Sequence, residues 1–344
     1  MDSSLEIVNP LEIKNWDDLI AELPGSSFFH TRSWVEVLHQ TYKYLPFYFI
    51  SRNKTTLNRV IPFMEINSLI TGKRGVSLPF TDTCRLTGIT PADEKFLDEV
   101  IIFGKSRKWN YIELRDDLAV ENKPVPSASF YEHIVSLDKD TERLFKTFRS
   151  STRRNISKAE KVLSVERKNT PEALQAYYRL HCLTRKRQGV PPQSFRFFQN
   201  IFKYVISRDK GNIFFAKHAQ ETIAGMIFFH HKQEVIYKYG ASDFKFQSFR
   251  PNNLLMWEAI KFYAAKKFQK LTLGRTEFSH EGLRQFKTGF NPDEIVRHYY
   301  RLDLRTGDYV QEMLKPENYR EKLFKLLPMT GLKFIGRVAY KHMG

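Results

Sequence analysis

Residues 211–242 read GNIFFAKHAQETIAGMIFFHHKQEVIYKYGAS, and their punctuation decides the fold. Gly211–His218 reads as a short apolar-aromatic strand, and Gln220-Glu221-Thr222 reads as a turn. Ile223–His231 reads as a second strand, and after Lys232-Gln233-Glu234 a third runs from Val235 to Ser242. Strands joined by connections this short must lie antiparallel, as a meander. Arg250-Pro251-Asn252-Asn253 then opens a long helix reaching about Lys267. Proline suits its first turn because the N–H it lacks would have no helical partner there. Leu254, Leu255, Trp257, Ala259, Ile260, Phe262 and Tyr263 supply a broad apolar face, and the strand Lys270–Leu273 follows.

The same order occurs upstream. Phe47–Ser51, Arg59–Ile66 and Gly75–Phe80 read as three strands, with a helix over about Asp93–Arg107 and a strand at Tyr111–Leu114. The closing stretches KWNYIELR (Lys108–Arg115) and KFQKLTLG (Lys267–Gly274) can be set side by side. Their offset of ~160 residues is a domain length, not a solenoid period. Each copy begins with helical material: Trp16–Glu22 and Ser33–Thr41 in the first, Glu142–Glu160 and Pro171–Gln188 in the second. The expected organisation is two β-β-β-α-β domains, 1–137 and 138–305, with a junction after the strand Glu132–Val135. A basic amphipathic tail spans 306–344.

Composition bounds the rest. With 344 residues, 42% hydrophobic and 27% charged, the chain can bury a core in each domain and is not a disordered or fibrous sequence. No apolar run reaches the roughly 18 residues of a membrane span, and the first residues lack a secretory h-region, so a cytoplasmic protein is expected. Two cysteines, Cys84 and Cys182, exclude a disulfide scaffold and a cysteine-based zinc site. Lys and Arg number 55 against 38 Asp and Glu, a formal charge of +17. That balance fits either a generally basic surface or a polyanionic partner.

Four stretches carry a family resemblance: SSFFHTRSWVEVL (Ser26–Leu38), FRSSTRRNISKAEK (Phe148–Lys161), YKYGASDFKFQSFRPNNLLMWEAI (Tyr237–Ile260) and LTLGRTEFSHEGLRQFKTGF (Leu271–Phe290). In order and spacing they resemble the Fem-type peptidyltransferases and the FemAB-like, BioF2-like acyltransferases, which are tandem GNAT proteins. The resemblance implies an α+β fold of two GNAT-like domains, each with a mixed, centrally antiparallel sheet flanked by helices. It also implies transfer of an aminoacyl or acyl group to an amine or hydroxyl of a cell-envelope precursor, peptidoglycan or exopolysaccharide. The donor would be aminoacyl-tRNA or acyl-CoA, with no tightly bound cofactor. The acceptor would be a lipid-linked or nucleotide-linked glycan precursor. The glycine-rich pyrophosphate loop of ordinary GNAT domains is replaced by Gln247-Ser248-Phe249-Arg250-Pro251. Without glycines to admit a close backbone approach, room is left for a donor other than coenzyme A. The competing class is a non-catalytic double-GNAT scaffold that binds nucleic acid or anionic glycan.

Acyl transfer needs a polarised carbonyl, a route for the nucleophile's proton and compensation for the oxyanion. The resemblance places Lys287, in Phe286-Lys287, at the donor's carbonyl or terminal adenosine. An exposed lysine capping a short helix is the plain alternative. Arg275 and Glu277, past the end of the last strand, are either a charge-compensating and proton-accepting pair or a structural ion pair. Arg185 and Arg187 lie in the loop that the resemblance gives to an acceptor phosphate, a role suited to a bidentate guanidinium. Tyr237 and Tyr239 should share one strand face, lining the site or packing the core. Asn252 and Asn253 either present N–H groups to phosphate or cap the helix. Arg149, Arg153, Arg154, Lys158 and Lys161 form a basic stripe for tRNA or lipid phosphate. His280 and Glu281 are a loop pair, near the site or merely solvated. No metal site is expected, because His230 and His231 point to opposite strand faces. Cys182 beside His181 is expected to be a buried or incidental cysteine and not a nucleophile, because the two diverge on a helix. The tail Leu323–Gly344 either packs on the first domain or lies on an anionic membrane.

Overall fold

A computed structural model gives the architecture and describes residues 5–53, 56–88, 94–118, 124–311 and 319–343. The chain forms two compact units. The first comprises Met1–Phe130, Val296–Leu314 and Val338–Gly344, and the second comprises Tyr131–Ile295 and Lys315–Arg337.

The first unit contains β1 (Leu5–Val8), α1 (Trp16–Glu22), α2 (Arg32–Tyr42), β2 (Leu45–Asn53), β3 (Thr56–Ser68), β4 (Gly72–Val76), α3 (Glu94–Ser106) and β5 (Tyr111–Leu114). Asp93, the expected first residue of α3, lies outside the described residues. Strands β1 to β4 are antiparallel in sequence order, and β5 lies parallel to β4. Phe96 and Val100 of α3 pack on Phe49, Phe63, Trp109 and Ile112. A side chain at Gly75 would put its Cβ 2.2 Å from the Trp109 ring, which explains the glycine. The expected strand Gly75–Phe80 stops at Val76, because Leu78 and Phe80 take left-handed backbone conformations (φ 53° and 61°).

Next come β6 (Ala128–Ser136), α4 (Thr141–Thr147), α5 (Ser150–Glu160), β7 (Ser164–Arg167), α6 (Pro171–Arg187), α7 (Phe195–Tyr204), β8 (Gly211–His218), β9 (Glu221–His231) and β10 (Glu234–Ser242). They are followed by α8 (Pro251–Ala265), β11 (Lys270–Glu277), α9 (Glu281–Thr288), β12 (Asp293–Asp303), α10 (Tyr319–Leu326) and α11 (Met329–Ala339). In the second unit β7 to β10 are antiparallel in order, and β11 runs parallel to β10, repeating the order of the first unit. Met226 and Phe228 of β9 enter a core with Leu254, Trp257 and Ile260 of α8 and Ile156 of α5. The alternate residue Phe229 instead meets Tyr239, which packs on Phe197 and Phe198 of α7.

Several local expectations need correction. The helical material expected over Glu142–Glu160 is divided into two helices, because Phe148 leaves the helix in an extended conformation. It buries its ring against Trp257 and Phe290, at 5.5 and 5.3 Å. The β8–β9 turn falls at Ala219-Gln220, with Ala219 at φ 51°, while Glu221 and Thr222 already pair with β8. The units are also not contiguous in sequence as expected. The strand beside β5 is Tyr300–Asp303 of β12, whereas β6, which follows β5 in sequence, lies beside β11. The tail is divided too: Tyr44 Oη in the first unit donates to the carbonyls of Tyr340 and Lys341, while α10 and most of α11 belong to the second. No helix among the described residues is long and apolar enough to cross a membrane.

Candidate functional site

The second unit's sheet opens where β10 and β11 part. Their parallel pairing covers only Glu234–Ile236 against Lys270–Thr272. Beyond it, β10 continues on β9 through a bulge: Tyr237 pairs with Phe228 and Tyr239 with the next residue, Ile227, leaving Lys238 extra. An extra residue breaks the two-residue alternation. Tyr237 and Tyr239 therefore face opposite sides of the sheet, not one side as the strand period suggested. Tyr237 joins the α8 core against Phe228, and Tyr239 turns towards α7.

Past Ser242 the chain makes a 3₁₀ turn, Phe244–Phe249, and enters α8. A cavity of about 400 Å³ opens here. It is lined by Ser151, Thr152 and Asn155 of α5, Arg187 at the end of α6, and Ser242, Gln247 and Arg250. Pro251, Asn252 and Asn253 of α8 and Gly282, Gln285 and Phe286 of α9 complete the wall. Among the described residues the wall thus holds two guanidinium groups, amides and hydroxyls, and no carboxylate. The start of α8 adds the positive end of a helix dipole. Such a wall is electrostatically favourable to negative charge. Asn252 and Asn253 do not cap α8, because the cap position belongs to Arg250, which makes no side-chain cap bond.

Arg250 has φ 60°. It takes the left-handed backbone that a glycine would ordinarily supply at such a turn. The turn is made without a glycine, and the arginine there adds a positive charge. Arg250→Gly should leave stability within about 1 kcal/mol, since relieved strain offsets the gain in unfolded-state freedom. Affinity for a phosphate-bearing donor should fall roughly tenfold or more. Calorimetric titration with coenzyme A, beside a melting curve, checks both.

Lys287 is buried, with 3% of its surface exposed, and is not the exposed lysine the sequence suggested. Its Nζ donates to the carbonyls of Gly274 and Arg275 at 2.8 and 2.9 Å, tying α9 to the end of β11. Arg275 and Glu277 are exposed on that strand end, with Thr276 buried between them. His280 caps α9 by accepting from the Leu283 N–H. Beside Lys287 lies His133 of β6, fully buried, its Nε2 3.0 Å from Glu294 Oε2. Burial and the Lys287 charge push the His133 imidazole down, against the pull of Glu294. Glu294 is held below the usual carboxylate range chiefly by its two bonds from Arg284, whose guanidinium lies over Tyr131. Sequence reading missed His133, since nothing local distinguishes it from a core strand residue.

A second polar group lies along α6. Tyr177, His181 and Arg185 recur at i, i+4 and i+8, a single helix stripe, and α6 packs on β10 beside the bulge. Burial, with the Arg185 charge, pushes the His181 imidazole down to about 3, and burial chiefly pushes the Tyr177 hydroxyl up. The 4.7 Å contact between the His181 ring and Phe198 shows how enclosed it is. The i, i+4, i+8 spacing is the signal in the sequence that marks this group. Cys182 is itself buried, which pushes its thiol up and keeps it protonated.

A neutral, buried His181 contributes stability that is fully present above the unfolded value near pH 6.5. That stability is lost progressively as pH falls towards 3, by on the order of 1 kcal/mol per pH unit. His181→Phe should therefore narrow the gap between stability at pH 7 and pH 4. Parallel denaturant titrations check it, and an unchanged gap would contradict it.

The basic stripe divides. Arg153, Arg154, Lys158 and Lys161 line a groove with Lys146, Ser150 and Ser157. Arg149 lies apart, beside Glu281, Arg284 and Glu294, and its N–H donates to the Gly289 carbonyl. His230 is occupied by the Asp209 carbonyl at 2.8 Å. Among the described residues no group of three His, Cys, Asp or Glu side chains could hold a metal ion.

Residues 146–288 match the family model described as acetyltransferase (GNAT) domain. Among solved structures the chain is similar to FemX, with TM-score 0.69 and 14% identity over 87% of this chain and 96% of that one. It is similar to a tandem GNAT protein from the clavulanic acid biosynthesis pathway, with TM-score 0.54 and 6% identity over 88% and 99% of the two chains. L-PGS from Bacillus licheniformis matches with TM-score 0.53 and 12% identity over 92% and 97%. At these identities the likeness is one of fold. No curated protein matches the chain in sequence.

Proposed function

We propose that this chain, an acyltransferase of the Fem-type tandem GNAT fold, moves an aminoacyl or acyl group from a phosphate-bearing donor to an amine or hydroxyl of a cell-envelope precursor. The observation that supports this is the carboxylate-free cavity where β10 parts from β11 and α8 begins, with Arg187 and Arg250 in its wall. Aminoacyl-tRNA and acyl-CoA both carry phosphate on the molecule that bears the reactive carbonyl, next to the ester in the first and at the far end of the pantetheine arm in the second. The cavity suits the phosphate of either. The envelope acceptor, peptidoglycan or exopolysaccharide carried on a lipid or nucleotide, follows the resemblance to the Fem proteins. So does action on the cytoplasmic side.

The chemistry asks little of the protein. The acceptor's lone pair attacks the donor carbonyl, the ester C–O or thioester C–S bond breaks, and the acceptor's proton leaves with the departing group. Arg187, Arg250 and the start of α8 hold the phosphates. On this reading backbone N–H groups along the parted strands polarise the carbonyl, and Lys287 ties α9 to the end of β11. The test is differential scanning with coenzyme A, an aminoacylated tRNA and a lipid-linked sugar mimic. One donor and one acceptor should each raise the melting temperature, and the pair together should give product. A response to a single polyanion without transfer would support the non-catalytic scaffold instead.

A further inference from the structure

We infer that α10 and α11 form a preformed docking face for an anionic bilayer surface. The inference stands on this face alone and does not depend on the donor or acceptor proposed above. The segment Lys322–Met343 contains Lys322, Lys325, Lys333, Arg337 and Lys341 and no acidic residue. Helix α11 is fixed by one side. Leu332 is fully buried, and Gly336 sits so close to the Pro192 carbonyl that a Cβ there would lie 1.9 Å from its oxygen. Lys333 spreads over the Tyr178 ring. With that side packed, the helical period turns Phe334 and Val338 outward, 67% and 46% exposed. On α10, Leu323 and Leu326 are 57% and 81% exposed.

Single exposed apolar residues are ordinary, but four on two successive helices, interleaved with cations, are not. The occupant must offer hydrocarbon to the apolar residues and negative charge to Lys322, Lys325, Arg337 and Lys341. A second copy of this chain fails, because it would set like charges against each other. Nucleic acid satisfies the cations and leaves Phe334 and Leu326 in water. An anionic bilayer satisfies both, with the side chains in the acyl boundary and the cations at the headgroups.

The test is co-sedimentation of the full-length protein with vesicles of mixed phosphatidylcholine and phosphatidylglycerol, and with phosphatidylcholine alone. Binding to the mixed vesicles should be strong and should fall as salt rises. The variant Phe334→Ser with Leu326→Ser should bind at least tenfold more weakly. Lys322→Gln and Arg337→Gln should each cost roughly fivefold. All of these variants should keep the wild-type melting temperature, because the altered side chains are exposed. Unchanged binding of the Phe334→Ser, Leu326→Ser variant would overturn the inference, as would equal binding to both vesicles or to neither. A dimer dissolved by the same substitutions would assign the face to a second copy.

Discussion

Lys287→Met is expected to lower the transfer rate a hundredfold or more and to destabilise the chain by roughly 2–5 kcal/mol. The stability loss follows from two charge-assisted hydrogen bonds removed from a buried site. Lys287 Nζ donates to the carbonyls of Gly274 and Arg275 in a site only 3% exposed. A buried carbonyl without its donor costs about 1–3 kcal/mol. An exposed lysine, by contrast, would have been removable at within about ±0.5 kcal/mol, as the sequence alone suggested. The rate loss follows from position. Lys287 holds α9 to β11, and Gln285 and Phe286 of α9 form part of the cavity wall. A shift of about 1 Å in a reacting geometry is sufficient for a hundredfold loss. Single-turnover transfer should be measured at a temperature where circular dichroism shows both proteins folded. Full turnover there would remove Lys287 from the machinery, and an unchanged melting temperature would contradict the clamp.

The variant carrying Arg187→Gln and Arg250→Gln is expected to bind its donor roughly 10²–10⁴-fold more weakly while melting within a few degrees of the wild type. Each guanidinium–phosphate contact contributes about 1.5–3 kcal/mol, and the two act on one anion. Both residues are exposed, and the clearest packing contact is that of Arg187 over Phe244 at 4.9 Å. The loss should come with a shallower dependence of affinity on salt. Arg153→Gln with Lys158→Gln, in the α4–α5 groove, provides the contrast. If the donor is a tRNA these changes should weaken it too, because a long polyanion extends along basic surface. If the donor is an acyl-CoA they should leave it unchanged. Isothermal titration of both variants with both donors checks the set. An unaltered affinity in the Arg187, Arg250 variant would exclude the cavity as the donor site.

The repeating meander, the long helices α3 and α8 and their closing strands were legible because each is a local pattern. Short polar turns between apolar-aromatic runs leave few alternatives at β8, β9 and β10. Arg187, Asn252, Asn253 and Phe286 each stood out in the sequence for a separate reason, and only the fold puts them in the wall of one cavity. What could not be read depends on distant partners. The bulge at Lys238 exists because β10 must stay on β9 while it leaves β11, and no residue type announces it. The break at Phe148 depends on a cavity formed by Trp257 and Phe290, more than a hundred residues away in sequence. The placement of β12 beside β5, and of β6 beside β11, inverts the sequence order that contiguous domains would have. His133 follows from that placement, since only the strand exchange brings β6 near Lys287 and Glu294.

The central claim is that the donor binds where β10 parts from β11 and α8 begins. Hydrogen–deuterium exchange of the full-length protein, with and without saturating coenzyme A or aminoacylated tRNA, tests it most directly. Protection by at least one donor should concentrate in peptides covering Ser242–Leu255 and Glu281–Thr288, because backbone N–H groups there would be held by phosphate and by a closed wall. Protection absent from both stretches and confined to the first unit, with either donor, would contradict it.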